Sequence, residues 1–180
     1  MNTVRAPRHD RASANAIADR CVSLAWTALA SVEDPEIPAL SIVDLGLVRF
    51  VKRQPDGRLE VGLSPTYLGC PATDVIRRSV EDALSSAGVG AFSVITVLSP
   101  AWTSDWITAE GRRKLESYGI VPPERSAAPL RDLSRKARPV GCPRCRSTDT
   151  ECLSEFGSTP CKALHRCRAC LEPFEYFKCI

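Results

Sequence analysis

The stretch "LSPTYLGCPATDVIRRSVEDALSSAG", residues 63–88, predicts the end of a strand followed by an amphipathic helix. Pro71 suits the first helical turn, where its missing N–H leaves no hydrogen bond unmade, and Gly88 predicts the helix end. Cys70 therefore lies at the mouth of a helix, where unpaired N–H groups and the helix dipole favour the thiolate, the nucleophilic and metal-binding form. The alternative is a small buried residue that only caps the helix. The predicted apolar face consists of Val75, Ile76, Val80 and Leu84.

On either side of this stretch, the pattern predicts further helices and strands. Residues 13–32 have helical spacing with Ser13 as a cap, and a helix at residues 103–118 should begin at Thr103 or Ser104 and end at Gly119. Strand patterns at 42–53 and 58–66 flank the turn "QPDG" and predict a hairpin, and "FSVITVLSP" predicts a third strand. The fold class is therefore α+β, a small helix-strand-strand-helix-strand-helix domain.

Composition excludes several classes of protein. The 180 residues are 44% apolar and 25% charged, as in soluble globular domains, and no apolar run approaches the roughly 20 residues of a membrane helix. The first 20 residues lack the apolar stretch of a signal peptide, so we expect a cytoplasmic protein without a membrane partner. The net charge of +3 is evenly spread, which argues against nucleic acid as a partner.

Most of the nine cysteines follow residue 140, and four of them form the knuckles "CPRC" and "CRAC". Two such pairs at this separation are typical of a zinc ribbon, in which a structural zinc ion replaces the core that so short a segment cannot build. A rubredoxin-like iron site, a cluster or a redox dithiol is the alternative. The predicted zinc ligands are Cys142, Cys145, Cys167 and Cys170. We therefore divide the chain into a domain at 1–122, a linker at 123–140 and a ribbon at 141–180.

Outside the two knuckles, the tail contains further cysteines, a histidine and aromatic residues. Cys161 follows a "GSTP" turn, which predicts an exposed sulfur; it is either a small hairpin residue or an additional ligand or reactive thiol. Cys152 and Cys179 have no assigned role, and His165 is predicted on the ribbon surface. Two sets of apolar residues remain. Phe174, Tyr176 and Phe177 should pack the ribbon, and Trp102, Trp106 and Ile107 are either core or a partner surface.

Four motifs together resemble the SufT-like iron–sulfur assembly domain over about residues 20–122: "DPEIP", "LSIVDLGLVR", "LSPTYLGCPATDVI" and "PAWTSDWIT". The resemblance implies that Cys70 is the functional thiol, with Asp34 and Glu36 as accessories and Thr66 in a matching position. Asp44 also matches a motif position. Because clusters usually take four protein ligands, one thiol implies transient or shared binding, and a homodimer is one way to share.

The same domain followed by "CPRC" and "FGSTPCKALHRCRACLEPFEYFK" resembles, over nearly the whole chain, the PaaD (PaaJ) family of D subunits of bacterial phenylacetyl-CoA epoxidase. This implies an accessory, non-enzymatic role in aerobic phenylacetate degradation: maturing or delivering an iron or iron–sulfur centre to the oxygenase or its iron–sulfur reductase. A purely architectural subunit is the alternative. The chain has only two histidines and no Glu-x-x-His pair, so catalytic diiron chemistry belongs elsewhere. A thiol enzyme at Cys70 would lack an obvious histidine base.

Overall fold

The computed structural model describes residues 9–124 and 140–178. It contains two sheets, and the predicted α+β domain with a C-terminal ribbon is confirmed. The predicted linker lies almost wholly outside the described residues, as does Cys179. The helices are α1 (His9–Ala30), α2 (Ala72–Ser86) and α3 (Ala109–Ser117), with a short 3₁₀ turn at Ser104–Trp106. The strands are β1 (Val48–Arg53), β2 (Leu59–Leu63), β3 (Phe92–Thr96), β4 (Ile120–Val121), β5 (Thr150–Ser154), β6 (Lys162–Cys167) and β7 (Pro173–Phe177).

The first sheet has the order β1-β2-β3. Strands β1 and β2 form the predicted antiparallel hairpin, whereas β3 runs parallel to β2 because α2 carries the chain back across the sheet. Helix α2 buries Ile76, Val80 and Leu84, but Val75 is 51% exposed, so its assignment to the apolar face was wrong. Ile76, Val80 and Leu84 alone have the four-residue spacing of one helical stripe, and Val75 lies about 100° away from Ile76.

The helix boundaries correct two predictions and confirm a third. Helix α1 begins at His9, so Ser13 lies inside the helix and does not cap it. The helix predicted at 103–118 is divided: Thr103 caps the 3₁₀ turn, and the Thr108 hydroxyl accepts the Gly111 N–H to begin α3. Gly119 ends α3 with a φ of +86°, as predicted. Trp102, just before the 3₁₀ turn, lies in the core, where it is 4% exposed and donates its indole N–H to the Leu45 carbonyl.

The second sheet contains the ribbon and one strand from the first domain, in the order β4-β7-β6-β5. The two-residue β4, which the sequence analysis missed, follows α3 and pairs in parallel with β7 through Ile120–Glu175 and Val121–Tyr176. A strand this short has too few residues to show an alternating pattern. This pairing joins the ribbon to the first domain.

The main hydrophobic core crosses the boundary between the two predicted domains. Phe177 is 1% exposed and its ring centroid lies 6.2 Å from that of Trp102. Cys161, also from the ribbon, is buried in the same cluster. The ribbon's own cluster is small and is built around Cys142, Cys167 and Phe174. Docking against the first domain therefore supplies apolar burial that the ribbon lacks by itself.

None of the helices within residues 9–124 and 140–178 is long and apolar enough to cross a bilayer.

Candidate functional site

Cys70 lies in the loop between β2 and α2, two residues before the helix begins. Its N–H donates to the Tyr67 carbonyl at 3.3 Å and closes a tight turn, in which Gly69 has a φ of +82°. A positive φ at the third turn position is the requirement that glycine meets. The Cys70 carbonyl accepts the Thr73 N–H at 3.1 Å, so the loop leads directly into α2. The predicted position of Cys70 at the helix mouth is confirmed, with Pro71 at the N-cap.

Asp34 and Glu36 approach this loop from the segment after α1. One carboxylate oxygen of Asp34 accepts the N–H groups of Glu36 and Ile37, both at 2.9 Å. This local hydrogen bonding is typical of an aspartate that initiates a turn, so Asp34 shapes the segment as well as carrying charge. The structure places both carboxylates at the wall of one cavity with Cys70.

That cavity has a volume of about 90 Å³, several times the roughly 10–15 Å³ that one water needs. Its wall includes residues from both domains. The polar and ionisable lining consists of Asp34, Glu36, Ser64, Thr66, Cys70, Thr73, Asp74, Arg77, Thr96 and Cys161. Arg77 is engaged by Glu81 and the Val94 carbonyl.

Ser64 and Tyr67 are the polar residues of this loop that the sequence analysis missed. Ser64 is 1% exposed, lines the cavity, and its hydroxyl has no hydrogen-bond partner among the described residues. The buried Tyr67 hydroxyl approaches the Cys70 thiol without full hydrogen-bond geometry to any described group. Since buried polar groups are nearly always paired, the Ser64 hydroxyl in the cavity wall is free to donate to a guest. Neither has a sequence signature, because serine and tyrosine are common in loops.

Burial disfavours ionisation of the acidic groups at this site. Burial raises the pKa of Asp34, although hydrogen bonds from two backbone N–H groups oppose this. Burial and the charge of Asp34 raise the pKa of Glu36. Burial, followed by the neighbouring Cys70, Glu36 and Cys161, raises the pKa of Tyr67 to about 12. Such a concentration of potential negative charge favours a bound cation.

Cys161 was predicted to be exposed, and this is wrong: it is 5% exposed and lines the cavity. Its position follows from β6, which begins one residue later with two buried residues, and Cys161 itself belongs to the main core. The Thr159 hydroxyl lies 3.0 Å from its sulfur. Burial raises the pKa of Cys161, a change that the bond from Thr159 opposes.

Lys162 supplies a buried positive charge beside the carboxylates. It is 3% exposed, and its ammonium lies 2.9 Å from the Glu175 carboxylate. Its charge also lowers the pKa values of Asp34 and Glu36, against the larger effect of burial. Lys162 therefore links the ribbon electrostatically to the Asp34–Glu36 segment.

Thr66 lines the cavity and stays a candidate, whereas Asp44 has a structural position. The Asp44 carboxylate accepts the N–H and hydroxyl of Ser41 and pairs with Lys114 at 2.7 Å. It is absent from the cavity wall. These contacts tie the loop that carries Ser41 and Asp44 to α3.

The four predicted ribbon cysteines converge on one point. Their sulfurs all lie within 4.8 Å of one another, with Cys142–Cys170 at 3.6 Å and Cys145–Cys167 at 3.5 Å. Bonds of about 2.3 Å to a tetrahedral zinc place sulfurs about 3.8 Å apart, so the donor set fits a structural zinc ion. The Cys170 N–H donates to the Cys167 sulfur and lowers the pKa of Cys167 to about 7, which favours the thiolate that a metal needs.

Cys152 and His165 belong neither to the cavity wall nor to the four-cysteine group. Cys152 is exposed, with its sulfur 3.7 Å from the Glu155 carboxylate. His165 is half-buried and stacks on Phe174 at 5.7 Å, so its predicted surface position is only partly correct. Burial lowers the pKa of His165. Phe174 packs inside the ribbon as predicted, whereas Phe177 packs in the shared core.

Two family models match the chain. Residues 25–96 match the model of the iron-sulfur cluster assembly protein, and residues 126–178 match the PaaD zinc beta ribbon domain. The chain is 46% identical over 155 residues to the D subunit of an Escherichia coli (strain K12) "Putative 1,2-phenylacetyl-CoA epoxidase", covering 86% of this chain and 91% of that protein.

The first domain also has relatives of its own. An "Fe-S protein maturation auxiliary factor" of Porphyromonas gingivalis (strain ATCC BAA-308 / W83) is 34% identical over 48% of this chain and 83% of its own length. A crystal structure of a domain of unknown function (DUF59) from Bacillus anthracis is 26% identical, has a TM-score of 0.50, and covers 59% of this chain and 97% of its own.

Proposed function

The chain belongs to the PaaD family of phenylacetyl-CoA epoxidase D subunits, and we propose that it is a non-catalytic maturation factor for that system. In this proposal Cys70 binds iron or an iron–sulfur cluster transiently, with Asp34, Glu36 and Thr66 as accessory residues. The cargo then passes to the oxygenase or its iron–sulfur reductase. The protein acts in the cytoplasm, whose reducing conditions keep the thiols available.

The observation that carries the proposal is the arrangement around Cys70. The thiol, two carboxylates and an unpaired buried hydroxyl line one cavity at the head of α2. Burial raises the pKa values of both carboxylates, and the charge of Asp34 raises that of Glu36 further; a metal cation would oppose both effects. The name of the Porphyromonas gingivalis relative as a maturation auxiliary factor supports the same role.

Incomplete coordination at this site suits a carrier. A cluster held by four protein thiolates is bound stably, whereas a cargo held by fewer protein ligands keeps positions open for the receiving protein. The surface around Cys70 is compatible with docking a client: Leu68, in the Cys70 turn, is 78% exposed, and Ile95, which lines the cavity, is 38% exposed. Exposed apolar groups at a site entrance favour contact with a partner. The ribbon zinc is structural in this scheme.

The experiment replaces Cys70 by serine in a strain that expresses the epoxidase subunits and the reductase. We expect the purified reductase or oxygenase to contain less iron and, for the reductase, less acid-labile sulfide. Cys152→Ser is the matched control because that thiol is exposed and outside the cavity. Normal metal loading of every subunit with the Cys70 variant would contradict the proposal.

The same strains distinguish an architectural subunit from a maturation factor. Stoichiometric co-purification with the other subunits, unaffected by Cys70→Ser and accompanied by full metal loading, would favour the architectural role. Substoichiometric or transient association, with metal loading dependent on Cys70, would favour maturation.

A further inference from the structure

Cys161 shares the Cys70 cavity although it belongs to the other domain. Both thiols line the cavity wall, and Cys70 packs against the buried cluster that contains Cys161. Two residues relate them further. The Tyr67 hydroxyl interacts electrostatically with both thiols, and Glu36 acts on both Tyr67 and Cys161. The two sulfurs therefore face the same small group of side chains.

We propose that Cys161 is the second thiolate ligand of the iron cargo at Cys70, so that the ribbon completes the site when it docks on the first domain. This inference rests on the proposed function, because it names the ligand set of that same site. On binding, each thiol releases its proton to solvent and forms a metal–sulfur bond. The guest is thiophilic iron, as Fe²⁺ or in a small iron–sulfur cluster.

An unpaired buried hydroxyl provides an independent indication of a guest. Ser64 is 1% exposed, lines the cavity and lacks a hydrogen-bond partner in the described part of the chain. Leaving such a group unpaired is costly in a folded protein. Donation to a metal-bound sulfur would satisfy it, and hydrogen bonds to sulfur are an ordinary means of tuning such centres.

The donors of this cavity are more open than those of the ribbon. Within residues 9–124 and 140–178, one group of three or more candidate ligands has all its ligand atoms within 4.8 Å of one another, and that group is the four ribbon cysteines. No three of the described cavity donors therefore have ligand atoms that all lie within 4.8 Å of one another, whereas the ribbon has its own complete set of four. Cys161 is accordingly available to the cavity without depriving the zinc site of a ligand.

The geometry of docking explains why a ribbon thiol reaches a site in the first domain. Strand β4 pairs with β7 and anchors one edge of the ribbon. Phe177 enters the core beside Trp102, and the Lys178 N–H donates to the Cys161 carbonyl at 2.9 Å. The residue that follows Phe177 therefore holds the backbone of Cys161 directly, so docking of the ribbon and placement of the thiol are coupled.

The test uses the full chain with its ribbon loaded with zinc, reduced by a phosphine and kept anaerobic. One arm adds Fe²⁺ alone, and the other adds Fe²⁺ with sulfide. Binding is followed by thiolate-to-iron charge-transfer absorption and by iron retained after gel filtration. The variants are Cys161→Ser, Cys70→Ser and, as the matched ribbon control, Cys152→Ser. Zinc content and thermal unfolding of each variant report its folding.

We expect wild type and Cys152→Ser to bind iron alike, either as Fe²⁺ alone or as a cluster formed with sulfide. Cys161→Ser should weaken binding by at least the about 10–100-fold that loss of an outer-shell contact produces, because a direct ligand is removed. If Cys161→Ser binds like the control while Cys70→Ser does not, the inference is overturned and the proposed function survives. If Cys70→Ser also binds like wild type, both fail.

A second measurement does not depend on the folding of a variant. X-ray absorption at the iron edge of wild type, in the arm without sulfide, counts the sulfur ligands supplied by protein. Two sulfurs per iron in a monomer support the inference. One sulfur per iron overturns it, and so does an iron with two sulfurs that is shared between two chains, at one iron per dimer.

Discussion

Replacement of Phe177 by alanine tests whether the two domains share one core. The ring is 1% exposed and packs beside Trp102. Burying an aromatic side chain removes about 150–250 Å² from water, which at about 25 cal/mol per Å² corresponds to about 4–6 kcal/mol. Measured truncations of phenylalanine to alanine cost about 3–5 kcal/mol. We therefore expect the free energy of unfolding to fall by about 4 kcal/mol.

Two probes make the assay specific to each domain. All three tryptophans lie in the first domain, so their fluorescence reports its unfolding in urea, whereas a zinc-sensitive dye reports opening of the ribbon. At a fixed free zinc concentration, the two wild-type transitions should coincide because the core is shared. Phe177→Ala should shift the fluorescence transition and separate the two curves. The melting temperature should fall by about 8–16 °C, at about 2–4 °C per kcal/mol.

Two other phenylalanines serve as controls. Phe156 is 65% exposed, so Phe156→Ala should change the free energy by less than about 0.5 kcal/mol. Phe174 is buried in the ribbon's own cluster. Phe174→Ala should therefore lower the urea concentration of zinc release more than it lowers the midpoint of the fluorescence transition. Loss of a packed ring costs about 3–5 kcal/mol. If the free energy of unfolding measured by fluorescence falls by less than about 1 kcal/mol in Phe177→Ala, against that expectation, the shared core is refuted.

Three further predictions concern Gly111, Asp44 and Asp34. Gly111→Ala should lower the free energy of unfolding by about 1–3 kcal/mol, because the new Cβ would lie 2.7 Å from the Asp44 carbonyl oxygen; Gly141→Ala, with nothing within 4 Å, is the control in urea titrations. Although burial acts in the opposite direction, the bonds from Lys114 and Ser41 lower the pKa of Asp44 below its usual 3.8. Asp44 should therefore stabilise the fold above about pH 4, and this contribution should be lost as the pH falls through the lower folded pKa; acid titration should show that the loss is missing in Asp44→Asn. Asp34→Asn should keep or raise the free energy of unfolding at pH 7, because the raised pKa of Asp34 means that its ionisation costs stability at pH values above that pKa. In urea titrations near pH 4 the gain should vanish. A loss above about 1 kcal/mol, the usual value of one hydrogen bond, would contradict this prediction.

Much of the fold followed from local patterns. The four-residue spacing of Ile76, Val80 and Leu84 predicted α2, and the "QPDG" turn predicted the first hairpin, because both features depend on neighbours in sequence. Helix boundaries were less predictable. Thr103 and Thr108 are both good caps, and the chain between them is extended at Ile107, whose burial at 2% exposure is a tertiary contact that no local pattern shows.

The candidate site was predicted in part. Cys70, Asp34 and Glu36 do meet at one cavity. Cys161 was expected at an exposed turn, since "GSTP" carries no information about what the hairpin packs against. The contribution of Ser64 could have been suspected only from its place between a strand and the Cys70 loop.

The sequence by itself determined the secondary structure around Cys70 and the identity of the four ribbon ligands, because helix periodicity and Cys-x-x-C spacing are local properties. Tertiary structure alone decided that Cys161 shares a cavity with Cys70. The β4–β7 pairing and the insertion of Phe177 beside Trp102 bring the two thiols together. Both contacts join segments far apart in the chain, where pairing depends on the total burial and hydrogen bonding of the folded molecule and on no local pattern.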